Sequence, residues 1–112
     1  MSKIISIGTA LPPYKHQQCN ILQFMLDVYN VSLSDKRKIE LLYDHCGIES
    51  RYSVIPDYSL PVGERVFYPR SNDLEPFPTL EKRMDCYHVH ALPLSIRAIE
   101  GCMDHHIDKS DI

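Results

Sequence analysis

The chain opens on Lys3 to Gly8, where Ile4, Ile5 and Ile7 crowd a run cut short by Gly8 ahead of Pro12-Pro13. Branching at Cβ suits a pleated, packed surface, so this run predicts a short buried strand at the centre of a sheet. The next residues, Pro12-Pro13-Tyr14-Lys15-His16, are expected not to extend a ladder, because proline lacks an N–H and restrains its predecessor. They predict a connection into a helix that begins near Gln17. From there Ile21, Phe24, Met25 and Val28 recur at helical spacing, one apolar stripe running to about Tyr29. Ser34 offers a cap oxygen for a second helix, with Asp35 at the positive end of its dipole. Ile39, Leu42, Tyr43 and Cys46 repeat the stripe, and Gly47 supplies a residue able to take the left-handed end conformation.

Beyond Gly47 the period shortens. Ser50 to Ile55 alternates polar and apolar side chains, which predicts a strand buried on one face with Tyr52 and Val54 inward. Residues Ser59 to Pro78 carry Pro61, Gly63, Pro69, Asn72, Pro76 and Pro78 without a sustained period, the mark of a long loop. Loops of that length are mostly functional, covered or mobile. Thr79 is placed to cap a last helix whose stripe runs Met84, Tyr87, Ala91, Leu94, Ala98 and Cys102, with a kink or break expected near His90 to Leu92 because Pro93 lies inside it. His105-His106 fall at or past its end, and Asp108 to Ile112 reads as an exit toward a further strand.

Composition narrows the classes. At 112 residues with 44% apolar positions the chain is expected to form one globular unit with a thin margin of stability. A formal charge of −3, with Lys and Arg scattered rather than blocked, argues against nucleic-acid or membrane partners. The first residues are too short an apolar run for a secretory core or a membrane span, which predicts a cytoplasmic location. Cys19, Cys46, Cys86 and Cys102 are then expected as reduced thiols in structural, buried roles.

Two sharper chemistries fit the residues poorly. Cys86, His88 and His90 have zinc-like softness, but a spacing of two on a helix sends them in different directions. Cys102 and His106 have the convergent i, i+4 relation, yet a structural site needs four ligands and no Cys-x-x-Cys knuckle supplies the rest, so no metal site is expected. A Cys-His nucleophile pair at His45-Cys46, or from Cys102 and His105, is equally disfavoured, since neighbours on a helix face apart and Cys46 belongs to the apolar stripe.

A chain-long pattern adds to this reading: Ile5-Ser6-Ile7-Gly8-Thr9-Ala10-Leu11-Pro12-Pro13-Tyr14, then Gln17-Gln18, Cys46-Gly47-Ile48, Arg51-Tyr52-Ser53, and Arg83-Met84 ahead of the last helix. The pattern resembles the beginning of a bacterial type III polyketide synthase, chalcone synthase-like, and more distantly ketoacyl synthase III and hydroxymethylglutaryl-CoA synthase. The resemblance implies an α/β chain, the N-terminal part of a thiolase-like fold, in which a short sheet packs with helices and a long Pro-rich loop spans about 59–78. It implies a homodimeric acyltransferase that condenses acyl-CoA with malonyl-CoA, with CoA thioesters as substrates and no separate cofactor. A nucleophilic Cys, a His and an Asn carry that chemistry, because a thiolate both attacks and leaves well and amide and imidazole donors meet a developing oxyanion. All three are expected downstream of Ile112, so no catalytic residue is expected among these 112, and the chain alone is expected to be inactive and prone to self-association.

The resemblance also implies CoA contacts. Lys38 aligns with a phosphate-contacting position, Arg51 lies near the same tunnel mouth, and His45 stands where plant relatives tend to carry a Lys. Solvated helix charge is the plainer reading of Lys38 and Lys36, and a structural salt bridge that of Arg51. The rival to the enzyme reading is a noncatalytic α/β module for protein interaction or scaffolding.

Overall fold

The structure is a computed structural model and describes residues 3–103. It is a small mixed α/β arrangement that divides into two compact units, where composition alone pointed to one. The first unit joins the opening segment to the last helix, and the second comprises Pro13–Thr79.

In the second unit, strand β1 (Tyr14–Gln17) runs directly into helix α1 (Gln18–Val28), and helix α2 (Leu33–His45) leads to strand β2 (Ser50–Ser53). The strands pair antiparallel, Tyr14 opposite Ser53 and Gln17 opposite Ser50. This corrects the expectation that Tyr14 to His16 would be a connection. The prolines end at Pro13, and every later residue up to Gln17 keeps an N–H to offer. Tyr52 is exposed and Val54 only half-buried, so β2 does not hide the face that the alternation suggested. The covered position of the ribbon goes to His16 of β1, which is 2% exposed.

Helix α1 follows its stripe. Ile21, Phe24 and Val28 are buried, Met25 is half-buried, and Phe24 and Val28 pack with Leu74 while Tyr58 and Tyr68 close over them. Leu74 holds a left-handed φ of 62°, a strain that its burial in this core offsets. Helix α2 begins two residues earlier than the cap at Ser34 predicted. Ser32 is its cap, with Oγ accepting from the Asp35 amide at 3.1 Å and donating to the Asp35 carboxylate at 2.8 Å. Gly47 follows its end with a φ of 68°, as its position predicted. Helix α2 buries no residue, and Leu42 and Cys46 of its stripe are exposed.

Two short helical turns, Asp57–Ser59 and Val62–Glu64, break up the long loop. Tyr58, Tyr68, Phe67 and Phe77 form a chain of ring contacts along it. The prolines conceal that order from any periodicity argument, because it lies in side chains and not in a repeating backbone.

The first unit is an extended segment, residues 3–12, laid against helix α3 (Leu80–Cys102). The buried central strand predicted for Lys3 to Gly8 is not found. The segment has no strand partner among the described residues, and Ile4, Ile5 and Ile7 are 77–80% exposed. Gly8 instead serves close approach. A Cβ there would run into the Ala98 carbonyl and the Cys102 amide, and Gly101 meets the Gly8 Cα across the gap. Helix α3 begins directly after Thr79, as predicted, and continues through Pro93 without the expected break. Its stripe is half-buried at Ala91, Leu94, Ala98 and Cys102, while Met84 and Tyr87 are exposed. His105-His106 and the predicted exit toward a further strand lie outside the described residues.

Candidate functional site

The second unit is organised around a fully buried carboxylate. Asp57 Oδ1 accepts the Val66 amide at 3.0 Å, and Oδ2 accepts the amides of Phe67 at 2.9 Å and Tyr68 at 2.6 Å. Three backbone donors replace the water that a buried carboxylate gives up, and in exchange the carboxylate holds the loop in an arc. Sequence reasoning missed this residue. Pro56-Asp57 reads as a turn, but nothing local marks its acceptors as reaching nine to eleven residues ahead.

Arg65, at the end of that arc, is 3% exposed. Its Nη1 donates to the Ser71 carbonyl at 2.9 Å, its guanidinium carbon lies 4.8 Å from the centre of the Phe24 ring, and its Nε has no hydrogen-bond partner among the described residues. Tyr58 and Tyr68 share a hydroxyl contact of 3.2 Å, and burial, then this contact, push the Tyr68 phenol well above its ordinary range.

His16 completes the frame from β1. It is 2% exposed, with Nε2 3.0 Å from the Ile55 carbonyl and Nδ1 2.6 Å from the Ser59 hydroxyl. A carbonyl only accepts, so in the neutral ring the proton is on Nε2. Nδ1 is then the acceptor and the Ser59 O–H the donor. Tyr58 meets the imidazole edge-on at 5.5 Å between centroids.

Between α1 and this polar frame lies a cavity of about 390 Å³. Phe24, Leu60, Pro61 and Val62 give it apolar wall, and Asn20, Gln23, Asp27, Tyr58, Ser59 and Arg65 give it polar wall. Gln23 is occupied, donating to Asp27 at 2.6 Å. The volume suits a small molecule or a short chain.

The residues predicted from the resemblance lie elsewhere. Lys38 is exposed on α2 and pairs with Asp35 at 3.0 Å. The Ser32 hydroxyl, then this pairing, hold the Asp35 carboxyl below its ordinary range. His45 turns Nδ1 to the Leu41 carbonyl at 3.0 Å, and Arg51 is exposed on β2 opposite His16. Among the described residues no hydrogen bond or ion pair joins any two of Lys38, His45 and Arg51, and none of them lines the cavity at α1. Arg51 shows no structural salt bridge among the described residues either.

The cysteines are all free thiols. Cys19 and Cys46 are exposed and Cys86 and Cys102 half-buried, which corrects the expectation of burial. Cys46 turns its thiol back to the Tyr43 carbonyl at 3.1 Å and receives the Gln18 side-chain amide at 3.6 Å, tying the end of α2 to the start of α1. Among the described residues no group of three His, Cys, Asp or Glu side chains is placed to hold a metal, and no helix is long and apolar enough to cross a membrane.

Comparison of the chain with protein-family models, with curated proteins and with solved structures finds no match.

Proposed function

We propose that these residues belong to the N-terminal part of a chalcone synthase-like condensing enzyme, which extends a bound acyl group with malonyl-CoA by decarboxylative Claisen chemistry. The observation that carries the reading is the order of the resembling motifs along the whole chain, from Ile5 to Tyr14 through Cys46-Gly47-Ile48 to Arg83-Met84. The uncovered apolar surface supports it. Ile4, Ile5 and Ile7 on the extended segment and Tyr87, Leu92 and Ile99 on α3 face water, as the elements of an α/β layer do when the rest of the layer is missing.

In this reading the nucleophilic Cys, its His and its Asn come from residues beyond Ile112, and the enzyme works as a homodimer in the cytoplasm. Lys38 and Arg51 meet the phosphates of CoA at the tunnel mouth, and His45 adds a weaker contact there. Both cations are exposed and therefore reachable, and Lys38 exchanges a surface pairing with Asp35 for the stronger field of a phosphate.

The test is to express the longest product of the gene and incubate it with malonyl-CoA and an acyl-CoA. The reading predicts release of CoA and carbon dioxide, and a KM for the acyl-CoA that rises about tenfold in Lys38→Ala/Arg51→Ala while kcat changes little. A folded product that releases no CoA contradicts the enzyme reading and leaves the noncatalytic interaction module as the better description.

A further inference from the structure

A serine hydroxyl is a weak nucleophile until a base is held against it and the base is oriented by a third group. Ser59 and His16 meet both conditions. The Ile55 carbonyl fixes the proton on Nε2 and turns Nδ1 toward the Ser59 Oγ at 2.6 Å, within reach for proton transfer. The imidazole is buried while the serine borders the cavity at α1, so the base is shielded and the nucleophile is presented. Residues beside Ser59 supply complementary surface, with Leu60, Pro61 and Val62 offering apolar wall for an acyl chain and Asn20 an amide for a carbonyl oxygen.

We propose that Ser59, with His16 as its general base, is a nucleophilic site that accepts the acyl group of a small activated ester or thioester held in this cavity. The step balances within the site. As Ser59 Oγ bonds to the acyl carbon, its proton passes to His16 Nδ1, and the electron pair of the carbonyl moves onto oxygen. Collapse of that adduct breaks the bond to the leaving thiolate or phenolate, and the imidazolium passes its proton to that group where it is basic enough and to water in the cavity where it is not, which leaves the imidazole neutral again. An acyl ester of Ser59 remains, and water activated by the same imidazole hydrolyses it to the carboxylic acid. The imidazolium formed in between keeps its Nε2–H on the Ile55 carbonyl. This activity is distinct from malonyl condensation and does not depend on that reading.

The test treats the 112-residue chain with p-nitrophenyl butyrate, follows p-nitrophenolate, and maps the butyryl group by peptide mass analysis. The proposal predicts acylation at Ser59, lost in Ser59→Ala and slowed about 100-fold in His16→Gln of unchanged circular dichroism. If His16→Gln does not fold, Ser59→Cys decides. Its new thiol, held against the imidazole, should react with iodoacetamide about tenfold faster than the exposed Cys19 and Cys46. Butyryl found only on cysteines or lysines, equal acylation of Ser59 in folded His16→Gln, or a Cys at 59 no faster than Cys19 would each overturn it.

Discussion

The two units of this chain solve the same problem in opposite ways. Residues 13–79 bury Ile21, Phe24, Val28 and Leu74 and close around them with polar staples: Asp57 on three amides, His16 between a carbonyl and a hydroxyl, Arg65 stacked on Phe24. The opening segment and α3 have apolar side chains in plenty and leave many of them in water, touching where Gly8, Ala98 and Gly101 allow backbone to meet backbone. Hydrophobic content alone therefore does not tell which part of a chain holds itself together. What decides is whether the groups given up to the interior find partners there.

The largest effect should come from cutting the central staple. Asp57→Ala removes the acceptor of three part-buried amides at once and is expected to destabilise the second unit by about 3 kcal/mol, enough to unfold a small unit, read from urea denaturation followed by tyrosine fluorescence. A loss below about 1 kcal/mol would mean that the arc at Val66 to Tyr68 holds without its carboxylate.

In the first unit the corresponding change is Gly8→Ala. A methyl group there runs into the backbone of α3 and the Cys102 Cβ, neither of which can swing aside, so the segment must lift away, at a cost of about 2 kcal/mol seen as loss of helical circular dichroism from α3. Unchanged ellipticity and melting would show that the close approach is dispensable.

Alkali should separate the units again. The Tyr68 phenol is raised in the folded chain, so its contribution is complete below the ordinary value of 10.0 and is lost as the pH climbs above that toward the folded value. The second unit should therefore weaken above about pH 10, and Tyr68→Phe should flatten that decline while removing the hydroxyl contact with Tyr58. An identical alkaline slope in Tyr68→Phe would assign the decline to other groups.

The smallest effect is expected where the apolar content is highest. Ile5 is already in water, so Ile5→Ser should change stability by no more than about 0.5 kcal/mol. A larger loss would mean that something, a second copy of the chain included, covers it in solution.

The parts legible from sequence were those whose partners are close along the chain. The α1 stripe at Ile21, Phe24 and Val28 was readable because helical spacing alone selects its buried face. Gly47 was readable because its backbone angle is a local demand. The Lys3 to Gly8 run misled, since β-branching marks residues suited to a sheet and says nothing of whether neighbouring strands are present. His16, Asp57, Ser59 and Arg65 were invisible as a site, because each acquires its role from groups placed opposite it by β1, α1 and the loop. No period or spacing encodes those encounters.

Amide hydrogen exchange on the dilute 112-residue chain tests most directly the contrast between a unit that closes itself and one that leaves its apolar faces uncovered. Slow exchange at Val66, Phe67 and Tyr68, with exchange at Ile4, Ile5 and Ile7 close to that of free peptide, is the expected pattern. Protection of the three isoleucines equal to that of the three amides on Asp57 would contradict it.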